Sequence, residues 1–253
     1  MKSTRPQLLA LTVAGSDSSG GAGVQADLRT FWALGVHGAS AITALTCQNA
    51  RAVIGVQAAR PDIVARQIEA VCGEARPAAV KTGMLADASI VVVVARELAQ
   101  RRLANIVVDP VMVSSSGHRL LSQRAITVLR DQLLPLATLV TPNLDEAGVL
   151  LGEEPPRTLG QMREAAKALA ANLGVAVLIK GGHLPECESA MDVLCVNGRL
   201  IEYRAPRVAA MKIHGSGCIY SAAIAAWLAR RAGLAEAVRR AKSYITKQFR
   251  DTR

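Results

Sequence analysis

Apolar positions along the chain fall into two alternating patterns. Short runs rich in Val, Ile, Leu and Thr are separated by longer Ala-rich segments whose apolar residues recur every three or four positions. The first pattern indicates buried strands and the second indicates amphipathic helices. We predict strands at residues 8–14, 40–46, 79–84, 106–109, 139–141 and 175–180. We predict helices at residues 24–34, 63–74, 88–101, 123–134 and 159–173. This alternation favours a doubly wound, mostly parallel α/β sheet with helices on both faces.

The pattern changes near the C-terminal end of the chain. Two strand-like runs, residues 191–196 and 200–204, flank the dipeptide Asn197-Gly198. Asn-Gly favours a type I′ turn because both positions accept a positive φ, so we predict an antiparallel hairpin at one edge of the sheet. Two Ala-rich helices are predicted to follow, at residues 219–231 and 235–249. Because no linker, repeat or low-complexity segment interrupts the pattern, we predict that residues 1–253 form one domain.

Composition supports this architecture. Of the 253 residues, 51% are apolar but only 3% are aromatic, so the core must consist of Ala, Val, Leu and Ile. A core of that kind suits a parallel sheet that is covered on both faces.

Charge and cysteine content limit which partners the protein is expected to have and in which cellular compartment it is expected. The net charge is +10, but Lys and Arg are spread along the chain rather than packed in one block, so we predict no nucleic-acid partner. The longest apolar runs are too short to cross a bilayer, which predicts no membrane partner. The five cysteines are odd in number and none forms a C-x-x-C pair, which favours a reducing, cytoplasmic location.

A glycine-rich loop follows the first predicted strand, with the sequence GSDSSGGAG from Gly15 to Gly23. Gly21 to Ala26 also fits the dinucleotide fingerprint G-x-G-x-x-A, but that fingerprint needs an acidic residue at the end of the second strand. The second strand is instead followed by Cys47 and Gln48, which argues against a nicotinamide cofactor. No Gly-Lys dipeptide occurs, so a phosphotransferase of this sequence is not a P-loop enzyme.

A second glycine-rich loop, His214-Gly215-Ser216-Gly217-Cys218, precedes an Ala-rich helix. Backbone N–H groups at a helix N-terminus can bind an anion, and in a phosphotransferase they would stabilise the transferring phosphoryl group. The alternative interpretation, a simple glycine-rich helix cap, fits the sequence equally well.

Acidic and basic residues end several other predicted strands. Asp109 and Lys180 each end a strand, and Asn143 and Glu146 follow the strand at 139–141. Asn143 and Glu146 fit either a helix capping box or the oxygen ligands of a Mg²⁺-nucleotide site. Lys180, in the stretch Lys180-Gly181-Gly182-His183, could neutralise phosphate charge. Ligands of α/β sheets bind at the carboxyl ends of the strands, so we expect these residues to meet there.

Taken in order, the motifs resemble the hydroxymethylpyrimidine/phosphomethylpyrimidine kinases of thiamine biosynthesis, a ribokinase-like family. The stretches that carry the resemblance are AGSDSSGGAGVQADLRTF, AITALTCQN, VKTGMLAD, VVDPVM, LVTPNLDEA, IKGGH and HGSGC. The resemblance implies a three-layer α/β sandwich with a mostly parallel central sheet, helices on both faces and an antiparallel edge hairpin.

The resemblance also implies roles for particular residues. Gln48 would hydrogen-bond the aminopyrimidine edge, since an amide offers both a donor and an acceptor. The residues expected in or near the substrate pocket are Gly15, Asp27 and Met84. The residues expected around Mg²⁺ and the nucleotide phosphates are Asp109, Asn143, Glu146 and Lys180.

The anion hole would be formed by Gly215, Ser216, Gly217 and Cys218, with Ser216 at a position where the family usually has Thr. Cys218 stands where related sugar kinases carry an aspartate base. A thiol at a helix N-terminus loses its proton more readily, so the thiolate is expected to accept the proton of the substrate hydroxyl. The alternative is that Cys218 is only a small residue at the helix entrance.

These implications define the expected function. We expect ATP-dependent phosphorylation of 4-amino-5-hydroxymethyl-2-methylpyrimidine and then of its monophosphate, with Mg²⁺ as the metal ion. The expected partners are the pyrimidine and ATP, and a homodimer is left open. The alternatives are a pyridoxal or pyridoxine kinase and, more distantly, a non-catalytic binding protein of the same fold.

Overall fold

The computed structural model describes residues 8–49, 51–113, 120–182, 184, 187–207 and 214–251. His183 lies outside these residues. The strands are β1 (Leu9–Asp17), β2 (His37–Gln48), β3 (Val53–Ala58), β4 (Ala79–Thr82), β5 (Ile106–Val108), β6 (Leu139–Val140), β7 (Ala176–Gly181), β8 (Ser189–Val196) and β9 (Arg199–Pro206). The α-helices are α1 (Gly23–Ala33), α2 (Pro61–Glu74), α3 (Ala88–Gln100), α4 (Gln123–Val128), α5 (Leu144–Leu151), α6 (Leu159–Leu173), α7 (Ser216–Ala229) and α8 (Leu234–Asp251).

All these strands form one sheet in the order β3-β2-β1-β4-β5-β6-β7-β8-β9. Six neighbouring strands in this order are mutually parallel: β2, β1, β4, β5, β6 and β7. The strands β3, β8 and β9 pair antiparallel to their neighbours. The chain runs outward from β1 to β2 and then returns to β4 on the other side of β1. This reversal of strand order opens a crevice at the carboxyl ends of β1 and β4, where ligands of α/β sheets bind.

Helices cover both faces of the sheet, which confirms the three-layer prediction. One core holds the buried faces of α2, α3, α5 and α6 against the sheet, and the opposite core holds α1, α7 and α8. Helix α7 is buried nearly all round, and most of its buried residues are alanines. Small side chains let α7 lie close to the sheet, which brings its N-terminus to the carboxyl ends of the strands.

The sequence patterns located most elements, including the hairpin β8–β9, but one strand was missed and one predicted helix needs correction. Strand β3 was not predicted, because its short apolar run is interrupted by Gly55 and leaves Ile54 79% exposed. The helix predicted at residues 123–134 ends early: after α4 the chain makes a π-helical turn, Leu129–Leu133, and a 3₁₀ turn, Leu134–Leu136. Pro135, which has no N–H to continue the helical bonding, lies inside the 3₁₀ turn.

Membrane-spanning helices are not found in the part of the chain described by the structure: no helix there is both long and apolar enough.

Candidate active site

The anion-hole loop lies at the N-terminus of α7 and touches the first glycine-rich loop. Gly215 caps the helix with φ +78°, a conformation that favours glycine. A Cβ on Gly215 would also lie 2.2 Å from the carbonyl oxygen of Gly21. The two glycine-rich loops, nearly 200 residues apart in sequence, therefore pack backbone against backbone.

A buried ion pair lies directly beneath this loop. Asp109 Oδ1 accepts a hydrogen bond from Lys180 Nζ at 2.7 Å, and Asp109 Oδ2 accepts one from Ser221 Oγ at 3.2 Å. A Cβ on Gly217 would lie 3.5 Å from Lys180 Nζ and 3.7 Å from Asp109 Oδ2. Burial raises the pKa of Asp109, but the ammonium groups of Lys180 and Lys81 outweigh it and hold the pKa below its usual value. The site thus keeps a carboxylate and an ammonium group beside the free N–H groups of α7.

Asn143 and Glu146 form the capping box that was one of their two predicted roles. Asn143 Oδ1 accepts from the backbone N–H of Glu146, and Glu146 Oε2 accepts from that of Asn143, both at 2.8 Å. Pro142 and Lys180 are joined by a backbone hydrogen bond of 2.8 Å, which holds the start of α5 next to the ion pair. Burial, together with the charge of Asp109, raises the pKa of Glu146 to about 7 despite the opposing effect of Lys180.

The expected substrate residues Gly15 and Met84 lie together at the crevice. A Cβ on Gly15 would lie 3.3 Å from Met84 Sδ. The backbone oxygen of Met84 accepts a hydrogen bond of 2.6 Å from Thr43 Oγ1, which ties it to β2. These contacts place both residues between β1, β2 and β4.

Gln48 ends β2 and contacts a histidine that the sequence analysis did not assign to the site. Its Nε2 lies 3.0 Å from His214 Nε2, and the same histidine nitrogen lies 2.9 Å from Asp17 Oδ2. Asp17 also accepts hydrogen bonds from Ser19 and from the backbone N–H of Ala22. Burial raises the pKa of Asp17, but these hydrogen bonds outweigh it and lower the pKa. Asp17 therefore stays ionised and anchors His214 to the first glycine-rich loop.

Asp27 is enclosed beneath the crevice rather than lining it. Its side chain is fully buried, and its Oδ2 accepts hydrogen bonds from Thr12 Oγ1 at 2.6 Å and from Lys81 Nζ at 2.8 Å. Lys81 is fully buried as well, and its ammonium group stays charged because the nearby carboxylates outweigh the effect of burial and raise its pKa. The expected role of Asp27 near the substrate is therefore an indirect one in this arrangement.

The expectation that Cys218 loses its proton readily needs correction. Burial raises the pKa of the Cys218 thiol, and the carboxylates of Asp27 and Asp109 add to the shift. The ammonium group of Lys81 and the backbone N–H of Gly23 oppose that shift but do not reverse it. The effect of the helix N-terminus, which lowers the thiol pKa, is thus outweighed by burial and by these two carboxylates, whose negative charge disfavours a thiolate.

Three residues of the site were missed by the sequence analysis: Asp17, Lys81 and His214. Asp17 and His214 stand inside the two glycine-rich loops, whose glycines are the stronger sequence signal. Lys81 had a clear signal, because a lone lysine in a strand that is otherwise buried needs a charged partner.

A metal centre built from protein ligands alone is absent from the described residues: no group of three or more His, Cys, Asp or Glu side chains is arranged to hold an ion. Asp109 and Glu146 supply two buried carboxylates at neighbouring strand ends, and oxygen ligands of this kind suit Mg²⁺, which usually keeps several water ligands.

Comparisons with known proteins identify the family of this chain. A family model described as phosphomethylpyrimidine kinase matches residues 17–253. The hydroxymethylpyrimidine/phosphomethylpyrimidine kinase of Escherichia coli (strain K12) is 46% identical over 237 residues, which are 94% of this chain and 89% of that protein.

Solved structures give the same result. The phosphomethylpyrimidine kinase of Clostridium difficile 630 aligns with a TM-score of 0.85 and 39% identity, covering 96% of this chain and 99% of that one. The pyridoxal kinase of Bacillus subtilis, solved as an ADP complex, aligns with a TM-score of 0.87 and 38% identity, covering 95% of this chain and 90% of that one. This chain is therefore a kinase with the ribokinase-like fold, and it belongs to the phosphomethylpyrimidine kinase family.

Proposed function

We propose that the protein transfers the γ-phosphoryl group of ATP to 4-amino-5-hydroxymethyl-2-methylpyrimidine and then a second phosphoryl group to the resulting monophosphate. The observation that carries this proposal is the position of the α7 N-terminus. Its N–H groups lie over the Asp109–Lys180 ion pair, and Gln48 lies at the neighbouring end of β2. Phosphate-binding groups and an amide that can read a heteroaromatic edge thus border one crevice.

In the first step, the hydroxymethyl oxygen attacks the γ-phosphorus in line with the bond to the ADP oxygen. The new O–P bond forms as the bond to ADP breaks, and the hydroxyl proton passes to the thiolate form of Cys218. The backbone N–H groups of residues 216–218 stabilise the charge on the transferring phosphoryl oxygens. Lys180 adds a positive charge on the same side. In the second step, a phosphate oxygen that is already ionised near neutral pH replaces the alcohol, so a base is not required.

Mg²⁺ would be held through Asp109, Glu146 and Asn143, partly by way of water. When bound, the ion neutralises charge on the nucleotide phosphates. The raised pKa of Glu146 fits this role, because burial and the nearby carboxylate of Asp109 both disfavour its charged form until a cation joins the two groups.

Metal dependence gives a testable prediction. A carboxyl group must lose its proton before it binds a cation, and the pKa of Glu146 is about 7. The Mg²⁺ concentration for half-maximal activity should therefore rise about tenfold for each pH unit below 7. Glu146→Gln should raise the Mg²⁺ requirement at pH 8 and flatten this pH dependence. Titrations of activity with Mg²⁺ at pH 6, 7 and 8 measure both effects, with Glu153→Gln on the exposed loop after α5 as a control. Full activity in excess EDTA would contradict the Mg²⁺ assignment.

The proposed function is tested by offering three substrates separately with Mg-ATP: the hydroxymethylpyrimidine, its monophosphate and pyridoxal. ADP should form rapidly with both pyrimidines. The pyridoxal kinase alternative has the Bacillus subtilis structure in its favour. A kcat/KM for pyridoxal above that for both pyrimidines would replace our proposal with that alternative.

Gln48 gives a second prediction. Gln48→Leu removes the donor and acceptor pair while keeping a similar volume, so the KM for the hydroxymethylpyrimidine should rise at least about tenfold. The KM for ATP should stay unchanged, because the nucleotide residues lie at other strand ends. Gln57→Leu, at an exposed position of β3, is the matched control. Unaltered kcat/KM for the pyrimidine in Gln48→Leu would show that Gln48 does not read the ring.

We further propose a cytoplasmic location, which the five unpaired cysteines support. A homodimer stays a prediction.

A further inference from the structure

The contacts of Gln48 and His214 contain a conflict between hydrogen-bond donors. The amide nitrogen of Gln48 is always a donor, and it lies 3.0 Å from His214 Nε2. The same His214 nitrogen lies 2.9 Å from the carboxylate of Asp17, which is an acceptor only. One imidazole nitrogen cannot accept from the amide and donate to the carboxylate at the same time. Therefore either His214 Nε2 carries no proton and faces the Asp17 carboxylate, or the Gln48 amide lies the other way round, with its oxygen towards His214.

The surroundings of the ring decide the tautomer. His214 Nδ1 is buried and has no hydrogen-bond partner among the residues that the structure describes. A proton on Nδ1 would leave a buried donor unpaired and would point the lone pair of Nε2 at an ionised carboxylate, and both arrangements are unfavourable. A proton on Nε2 instead makes a charge-assisted hydrogen bond to Asp17. His214 is thus held with its Nε2–H directed at Asp17 and Gln48.

This tautomer fixes the direction of the Gln48 amide. The oxygen and nitrogen of an amide are similar in size, so the group can turn over in the same space and its hydrogen bonds decide which way it lies. With the Gln48 oxygen towards His214, the Nε2–H of His214 is shared between Asp17 and Gln48. The amide nitrogen then faces Thr46 Oγ1, which lies 3.2 Å from the other end of the amide and itself donates to the backbone oxygen of Ser16 at 2.9 Å. In this arrangement the Nε2–H of His214, the hydroxyl of Thr46 and one N–H of the Gln48 amide each have an acceptor.

We propose that His214, anchored by Asp17, is a positioning residue that selects the direction of the Gln48 amide and thereby the hydrogen-bonding pattern of the ring the pocket accepts. This inference rests on the proposed function, in which Gln48 reads the substrate edge. The aminopyrimidine edge presents an exocyclic donor beside a ring acceptor. The corresponding 4-oxo pyrimidine presents an acceptor beside a ring donor. A fixed amide accepts the first pattern and rejects the second, whereas an amide that turns over freely serves both.

The test measures discrimination rather than activity alone. The kcat/KM of the first phosphorylation is determined for the amino pyrimidine and for its 4-oxo analogue, and their ratio is compared among variants. In His214→Phe the ratio should fall at least about tenfold, mainly through KM, while the KM for ATP stays unchanged. His214→Gln places an amide donor where Nε2 stood, so it should recover most of the ratio. Thr46→Val removes the partner of the other amide end and should also lower the ratio.

Controls separate this effect from damage to the fold. His37 is exposed at the opposite end of β2, so His37→Phe should keep the wild-type ratio, and thermal melting shows whether each variant is folded. A wild-type ratio in both His214→Phe and Thr46→Val would overturn the inference and leave the proposed function standing. A wild-type protein that phosphorylates neither pyrimidine would overturn the proposed function and this inference with it.

Discussion

Cys218→Ala is expected to slow the first phosphorylation by at least about 100-fold, because a positioned base contributes about 10²–10⁴ to a rate. The second phosphorylation should suffer much less, since its phosphate nucleophile is already ionised. The thiol is mostly neutral at pH 7 because burial raises its pKa. At pH 7 the thiolate of Cys218 is therefore a minor species, but it is strongly basic. In the wild-type protein, kcat of the first step should consequently rise with pH from 7 towards 9, and this rise should disappear in Cys218→Ala.

The ratio of the two steps identifies the role of Cys218. It is measured with saturating hydroxymethylpyrimidine and, separately, with saturating monophosphate. Equal losses in both steps would point to damage in the anion hole, whose N–H groups serve either reaction. Unchanged rates in both steps would show that Cys218 is only a small residue at the start of α7. Cys218→Asp, which restores the sugar-kinase arrangement, should retain part of the first activity if its carboxylate reaches the hydroxyl.

The second large effect concerns the buried ion pair beneath the crevice. Lys81→Met should lower the free energy of unfolding by about 3–5 kcal/mol, because it leaves the Asp27 carboxylate buried without its counter-charge. The double variant Asp27→Asn, Lys81→Met should recover most of this loss, since the asparagine oxygen can still accept from Thr12 and neither of the two positions carries a charge. Urea unfolding measures both variants. The exposed pair Lys167–Glu164 supplies the control, and Lys167→Met should change stability by less than about 0.5 kcal/mol.

This ion pair also connects stability to catalysis. Lys81 lowers the pKa of the Cys218 thiol and Asp27 raises it by a smaller effect, so the double variant should be stable and should shift the pH dependence of the first step only slightly to higher pH. A Lys81→Met variant as stable as the wild type would contradict the buried pair itself.

Local signals explain where the sequence predictions of secondary structure succeeded. Helix α6 has the predicted bounds, Leu159–Leu173, because a capping box of Thr158 and Gln161 starts it and Gly174, in the left-handed conformation, ends it. Pro135 is an equally local signal for the end of the helix predicted at 123–134, but the π-helical turn that begins at Leu129 lies six residues before it. Strand β3 had no such signal, because its pairing with β2 depends on tertiary structure rather than on its own apolar pattern.

The site shows the same division between local and tertiary information. Asp109 and Lys180 could be expected to meet, because parallel strands bring their carboxyl ends to one edge of the sheet. The contact between Asp17 and His214 joins positions 197 residues apart, and nothing in the local pattern of either residue indicates the other. The thiol of Cys218 was misjudged for a related reason, since its pKa depends on Asp27 and Asp109 from distant parts of the chain.

Competition in one reaction tests the proposed function most directly. Equal concentrations of the hydroxymethylpyrimidine and pyridoxal are mixed with Mg-ATP and the purified protein, and ³¹P NMR follows the phosphorylated products. The product ratio at low conversion equals the ratio of the two kcat/KM values. We predict that the pyrimidine monophosphate appears first and is converted to the diphosphate, while pyridoxal phosphate stays a minor product. Pyridoxal phosphate as the major product, with no pyrimidine diphosphate at any time, would contradict the proposal.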